Sequence, residues 1–431
     1  MALAATGVTG TFLLIILLSA YGIYRDRLPY SLNKIFWIFC LFFMGLAPLL
    51  QYGSGSRPFP WLPDATAPLY LKTNLLILCC MLLFRAVYTR QRIRNADTVF
   101  PFPMPGGTIS KRMFLTAGAF VFAVAVLAQY SLSGSLWYRN LADAAPRISD
   151  SSLQLLTDKI LKGLVLCYSL LCIRLYRQKQ TGGAYTALIL AAAVLTNFPT
   201  AIPRYWLATF YAGTGISFFY PVFLKRRRLF DGLFISGLAL LFPLLTLARL
   251  NKKALRYRLS HPRRFLDQLA DSFCGQDFDA YASLQHTLQY VQSNGVLWGR
   301  QLMTTLLFFI PRSAWPGKSV GSGSLVNPPR PGSDFSNFSS PLFAEGFLDF
   351  HLIGALGISA LCAWIWGRYD RYYWHSQPGG FLKMVYPAYL GMAFFTLRGD
   401  LLSSFAYTTG IAAAAWIFYR VLVAKGKKET L

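Results

Sequence analysis

Glutamate is almost missing from this chain. Only Glu345 and Glu429 occur among 431 residues, and 17 acidic residues face 42 Lys and Arg. Charged residues make up 14% of the chain, where a typical soluble domain has about 25%. That deficit leaves too little polar surface to solvate a water-soluble body of this length, and lipid is the natural solvent for the remainder. Cysteine and histidine offer no constellation either. Cys40, Cys79, Cys80, Cys167, Cys172 and Cys362 lie in apolar runs and read as small core hydrophobes. Cys274 stands alone in a polar stretch, which argues against an intrachain disulfide there. Cys79 and Cys80 have no second pair to complete a zinc site. His261, His286, His351 and His375 are isolated from one another. There is no internal repeat, no Gly-rich nucleotide fingerprint and no Ser nucleophile elbow.

What is present is apolar length. Hydrophobic residues make up 55% of the chain, and the mean hydropathy is +0.41. Eleven runs read as membrane-spanning helices: 8–24, 31–51, 68–88, 113–130, 153–173, 184–202, 203–223, 229–248, 344–366, 381–397 and 401–422. Pro199 and Pro203 leave only a tight connection between the sixth and seventh. The first run is followed by Arg25 and Arg27, not by a cleavage site, and no basic segment precedes it. It therefore reads as a retained span and not as a signal peptide. The expected fold is an all-α polytopic membrane protein of about eleven helices. Residues 1–248 hold spans one to eight, 249–343 form one large loop with amphipathic helices, and 344–431 hold spans nine to eleven.

The formal charge of +25 first suggests nucleic acid, but its placement argues against that partner. Basic residues cluster just beyond apolar runs: Arg90, Arg92 and Arg94; Arg174, Arg177 and Lys179; Lys225 to Arg228; Lys425, Lys427 and Lys428. This is the positive-inside pattern. Outside the long loop, Lys and Arg on the segments of one side well outnumber those on the other, which puts the N-terminus outside and the C-terminus in the cytoplasm.

The long loop has internal order. It begins with a basic stretch holding Arg249 and Lys252. Tyr281, Leu284, Leu288 and Val291 then recur at helical spacing, predicting an amphipathic helix that lies on the membrane or on the protein. The apolar run Leu302–Ile310 is too short to cross about 30 Å of hydrocarbon. It reads as interfacial, re-entrant or the core of the loop. From Pro311 to Pro341 the chain is rich in Pro, Gly and Ser, an ordered loop or a flexible lid.

Several residues could carry chemistry. Phe309-Ile-Pro-Arg-Ser-Ala-Trp-Pro-Gly-Lys318 sets Arg312 and Lys318 on a proline-stiffened turn, a guanidinium fork and a point charge suited to phosphate. Trp315 there either stacks on a sugar or anchors at the interface. Arg204, Arg398 and Asp400 come from distant segments but share one side of the membrane. An ionisable group at membrane depth is a functional candidate, against snorkelling or mutual pairing of Arg398 and Asp400. Glu345 opens the ninth span, with Asp349 one turn on. It is either a general base or a charge favoured by the helix dipole. Asp277 and Asp279 precede the amphipathic helix, as sugar ligands or a base, or as helix caps.

Together these strings resemble the O-antigen and enterobacterial-common-antigen polysaccharide polymerases, the Wzy group. The resemblance is strongest over about 249–345: the Arg-Leu-Asn-Lys start, Asp277-Phe-Asp-Ala-Tyr, Ile-Pro-Arg-Ser-Ala-Trp-Pro-Gly-Lys, and Ser-Pro followed by Glu345-Gly. Leu397-Arg-Gly-Asp looks like that group's late outer-loop motif. Arg204 looks like its mid-chain arginine, although Pro199-Thr-Ala-Ile-Pro replaces the usual small residues before it. The resemblance implies a GT-C-like glycosyltransferase of the bacterial inner membrane, acting at the periplasmic face. It would transfer a growing chain from undecaprenyl pyrophosphate to a new lipid-linked repeat unit. No metal, nucleotide or other cofactor is implied; a Wzz-type chain-length copolymerase is the implied partner. In that scheme Arg312, Lys318, Arg204 and Arg398 neutralise the pyrophosphate, with Arg249 and Lys252 in second rank. Glu345 is the base and Asp277 its reserve, and Asp279, Trp315 and Asp400 line the substrate. The competing readings are an O-antigen ligase, with the same large loop, and a flippase or other transporter. Transporters place ionisable residues and broken helices nearer mid-membrane, often with repeat symmetry.

Overall fold

A computed structural model of the chain describes residues 2–62, 65–91, 111–133, 151–241, 243–245, 271–327, 329–332, 338–375 and 380–426. Among the described residues every regular element is helical. In chain order, α1 is Ala2–Arg25, α2 Leu32–Ser54, α3 Ala67–Gln91, α4 Lys111–Ser133, α5 Ser151–Arg177, α6 Gly183–Thr196, α7 Arg204–Phe218, α8 Tyr220–Lys225 and α9 Leu229–Ser236. The loop contributes α10 Ala280–Asn294, α11 Arg300–Leu306 and α12 Ser322–Val326. The chain then closes with α13 Leu342–His375, α14 Phe381–Arg398 and α15 Leu401–Gly426.

Among the described residues five helical stretches are long and apolar enough to cross a membrane: Thr6–Arg25, Leu32–Ser54, Ala67–Gln91, Leu342–His375 and Leu401–Leu422. Their outward faces carry large apolar side chains, such as Leu14, Leu17, Leu82, Leu361 and Ile417. A water-soluble protein would not expose so many; this is a helical membrane protein. Helix also occupies the remaining predicted runs, with different limits. At 14 residues, α6 rises about 21 Å at 1.5 Å per residue. At 27 residues α5 is long enough, but Asp158, Lys159, Lys162 and Arg174 interrupt its apolar character.

Two apolar cores share α14 as a common wall. Tyr386, Leu390, Ala393, Phe394 and Leu397 face a core built from α1, α2, α3, α13 and the loop helix α10. Met384, Ala388 and Met392, one helical turn apart each, face a second core from α4 to α7 and α15. Between membrane helices close packing replaces the hydrophobic effect, so small residues let backbones approach. A methyl added to Gly213 of α7 would stand 2.7 Å from the Ala388 Cβ of α14, and one on Gly391 would strike the Thr209 backbone. This antiparallel register brings Tyr205 over Phe395, with ring centroids 4.6 Å apart. Arg204 and Arg398 consequently emerge at the same level.

The far end of the bundle is closed by buried polar ties. The Lys34 ammonium, fully buried, meets Asp231 at 2.7 Å. Asp370 accepts from Tyr88, Tyr386 and the Leu32 N–H. Removing one partner of such a buried set is costly because the other is left uncompensated.

Two departures from regular helix matter for the site. Cys40–Leu46 within α2 is π-helical, a widened turn often found near functional sites, and it aims Phe43 at the loop. The apolar run at 344–366 is not one straight helix. It breaks at Phe350 and His351, whose φ is 56°, and the segment before the break folds back until Gly346 meets Gly354. The freed carbonyls of Leu348 and Asp349 accept the Leu297 and Trp298 N–H groups at 3.0 Å each. A non-glycine residue in that region costs about 1–3 kcal/mol, and the loop contacts hold it there.

Candidate functional site

The site lies at the end of the bundle that carries the loop helices. Pro203 sets an extended backbone that lets α7 begin at Arg204. A cation at a helix N-terminus opposes the dipole by about 0.3–1 kcal/mol, so Arg204 calls for an anionic partner. Asp277 supplies it: the guanidinium donates to Asp277 Oδ1 at 2.5 Å and Oδ2 at 3.1 Å, a bidentate fork. Asp277 sits on the one-turn helix Gln276–Phe278. Gln51 at the end of α2 fixes that turn by donating to the carbonyls of Phe273, at 2.8 Å, and Phe278, at 3.1 Å. Phe278 is fully buried and stacks on Phe43 of the π-helical turn, with centroids 4.9 Å apart.

Arg398 ends α14 and reaches the same turn. It donates to the Asp277 carbonyl at 3.0 Å and to Asp279 Oδ1 at 3.2 Å, with its guanidinium 5.6 Å from the Phe43 ring centre. Asp279 is the N-cap residue of α10 but makes no side-chain cap bond. Its buried carboxylate instead accepts from the Ser339 N–H at 3.0 Å and the Ser339 hydroxyl. Four residues from three distant segments, Arg204, Asp277 with Asp279, and Arg398, thus form one network. The predicted amphipathic face of α10 lies on protein: Tyr281, Leu284, Leu288 and Val291 are buried, and the Tyr281 hydroxyl donates to Asn74 Oδ1 at 2.8 Å.

Glu345 stands beside this network and acts as a tie. It is 1% exposed, and it accepts from the Ser322 hydroxyl of α12 at 2.6 Å and the Leu401 N–H at 2.9 Å. Those bonds join α13, the loop and the α14–α15 connection. Asp400 caps α15 through the Ser403 N–H at 2.8 Å and hydroxyl at 2.9 Å, and it lies against Gly321. Burial pushes the Asp400 carboxyl above its usual range, with the Ser403 bonds opposing. Asp349, one turn beyond Glu345, serves a different helix. It accepts from the Gln301 and Leu302 N–H groups at 3.1 and 2.8 Å, capping α11 from outside it.

The Arg312–Lys318 string is turned inward on its own backbone. Arg312 donates to the carbonyls of Lys318 at 2.6 Å and Ser319 at 2.9 Å. The Lys318 ammonium donates to those of Phe308 at 2.6 Å and Ile310 at 2.7 Å, and Arg300 to Gly317 at 2.8 Å. Trp315 is half-buried in the same turn. These cations shape a stiff loop, and the string connects to the rest through the Gln301–Ser319 side-chain bond at 2.8 Å. The run at 302–310 is no core of the loop: α11 buries Gln301, Thr304 and Thr305, while Met303, Leu306 and Phe309 are more than half exposed. Arg249 and Lys252 lie outside the described residues.

Sequence reasoning passed over a second cation group. On α5, Lys159 and Lys162 share Asp158 at 2.7 and 2.5 Å. The Lys159 ammonium also donates to the Tyr205 hydroxyl at 2.9 Å and sits 3.7 Å from the Tyr407 ring centre. The signal was available: three ionisable residues within one predicted span.

No family model, curated protein or solved structure matches the chain. The chemistry is therefore read from geometry. Among the described residues, no three His, Cys, Asp or Glu side chains come together as metal ligands. Two arginines held at one level by helix register can neutralise a bound phosphate, and a carboxylate on the pinned turn beside them can accept a proton.

Proposed function

We propose that this chain is a polysaccharide polymerase that joins oligosaccharide repeat units carried on undecaprenyl pyrophosphate, at the periplasmic face of a bacterial inner membrane. Eleven spans, N-terminus outside, would set the loop at that face. The observation that carries the reading is the convergence of Arg204 and Arg398 on the Asp277 turn, which belongs to one of the strings that resemble the Wzy group.

In the reaction, a hydroxyl at the non-reducing end of the acceptor attacks the anomeric carbon of the donor. The bond from that carbon to the pyrophosphate oxygen breaks, and the lipid pyrophosphate leaves with the electron pair. The hydroxyl proton passes to a carboxylate. Arg204 and Arg398 neutralise the charge that develops on the leaving oxygens. For the base, geometry favours Asp277 over Glu345. A general base must reach the proton it removes; the Asp277 side chain, although both its oxygens accept from Arg204, is 25% exposed, whereas Glu345 is 1% exposed. Glu345 holds the loop in register, and Arg312 and Lys318 stiffen it.

A deletion strain tests this. It is expected to accumulate single lipid-linked repeats at the periplasmic face and to make no polymer. Accumulation at the cytoplasmic face would instead indicate a flippase. Accumulation of finished polymer not joined to lipid A core would indicate a ligase.

A further inference from the structure

We infer that Lys159 and Lys162 bind the pyrophosphate of the second lipid-linked substrate, the acceptor. The inference rests on the polymerase reading, which requires two lipid pyrophosphates at once. The Arg204–Arg398 pair lies beside the proposed base, where the donor's pyrophosphate must leave. The acceptor reacts at its distal sugar, so its pyrophosphate belongs apart from the base by about the length of a repeat unit.

The α5 cluster has the required character. Two ammonium groups share one carboxylate, Asp158. They lie among aromatic rings: Lys159 at Tyr407, and Lys162 5.9 Å from the ring centres of both Tyr205 and Trp206. Tyr407 is six residues into α15, about 9 Å along the helix from its start, a depth that suits the phosphate of a lipid anchored in the bilayer. The cluster joins the first cation pair through one aromatic stack. Tyr205 follows Arg204 directly, Phe395 lies one turn before Arg398, and both rings pack on Tyr407, at 5.7 and 6.1 Å. Asp158 occupies the position a phosphate would take between the ammonium groups.

The test uses the purified full chain in nanodiscs of neutral lipid, titrated with farnesyl pyrophosphate and read by native mass spectrometry and calorimetry. Wild type is expected to bind two molecules. Lys162→Gln should weaken one event at least about tenfold and leave the other unchanged, with Lys162→Arg restoring it; Arg398→Gln should weaken the other event. Asp158→Asn should tighten the Lys162-dependent event several-fold, because a competing anion is gone; a purely structural salt bridge predicts no gain. The inference is overturned if wild type binds one molecule, if Lys162→Gln leaves both events intact, if Asp158→Asn weakens binding, or if excess phosphatidylglycerol displaces the Lys162-dependent event. Elongation by wild type with only one binding event would sink the inference alone. Two binding events, one of them Lys162-dependent, without elongation would sink the polymerase reading and, with it, the acceptor assignment.

Discussion

Replacing Asp277 by Asn keeps the size of the side chain and removes its charge, and the geometry assigns the cost. The Arg204–Asp277 pair is about a quarter exposed on both sides, between a surface pair and a buried one, so its loss should lower stability by about 1–2 kcal/mol. One positioned base contributes roughly 10²–10⁴-fold in rate. Asp277→Asn should therefore lose that much elongation, far more than its small loss of stability explains. Glu345→Gln should behave differently. Both Glu345 oxygens accept bonds in a buried place. An amide can keep the Leu401 N–H bond through its oxygen and donate to the Ser322 hydroxyl, which must turn to accept; both bonds fall to neutral strength, at a cost of about 1–2 kcal/mol. That variant should lose activity only in step with thermal stability, with faster proteolysis near α12. Rates on a defined lipid-linked repeat, paired with thermal unfolding of the same samples, separate the two cases. If Glu345→Gln is inactive at wild-type stability while Asp277→Asn still elongates within about threefold of wild type, Glu345 is the base and this ordering is wrong.

Asp349→Ala removes the carboxylate that caps α11 through Gln301 and Leu302. A lost cap costs about 1 kcal/mol, so amide exchange over 300–306 should rise about fivefold while α3 is unchanged. Lys318→Met breaks both bonds to the Phe308 and Ile310 carbonyls. It should open the 308–318 turn to trypsin at Arg312 and reduce elongation less than Arg398→Gln does; an equal loss would return Lys318 to the pyrophosphate site. A nitroxide on Met303→Cys should show high oxygen and low nickel-chelate accessibility, because the exposed face of α11 is apolar. The reverse pattern would place that face in water.

The parts of the fold that lipid dictates were legible in sequence. A membrane demands long apolar helices, and among the described residues helix lies within each of the eleven expected runs, with five stretches that have the length and composition to cross unaided. The α10 face was legible because its period of 3.6 matches burial of Tyr281, Leu284, Leu288 and Val291. The break at His351 was not, because Phe-Leu-Asp-Phe-His-Leu-Ile-Gly reads as continuous apolar helix, and the contacts that hold the break, Gly346 on Gly354 and the Leu297 and Trp298 N–H groups on the freed carbonyls, are tertiary. Arg204, Arg398, Asp277 and Asp279 could each be named as candidates, but their joining depends on the α7–α14 register, which no local pattern carries. Spacing likewise marks Arg312 and Lys318 as cations but does not show that carbonyls six to ten residues away accept from them.

The central claim is that this chain joins lipid-linked saccharides using its own arginines and carboxylates. The most direct measurement supplies the purified protein with one defined undecaprenyl-pyrophosphate repeat unit, chelator present and no other acceptor. The account predicts a ladder of polymers with release of undecaprenyl pyrophosphate, abolished in Arg204→Gln and Arg398→Gln variants that remain folded. Absence of any product longer than one repeat from folded wild-type protein, or an undiminished ladder from both arginine variants, would contradict it.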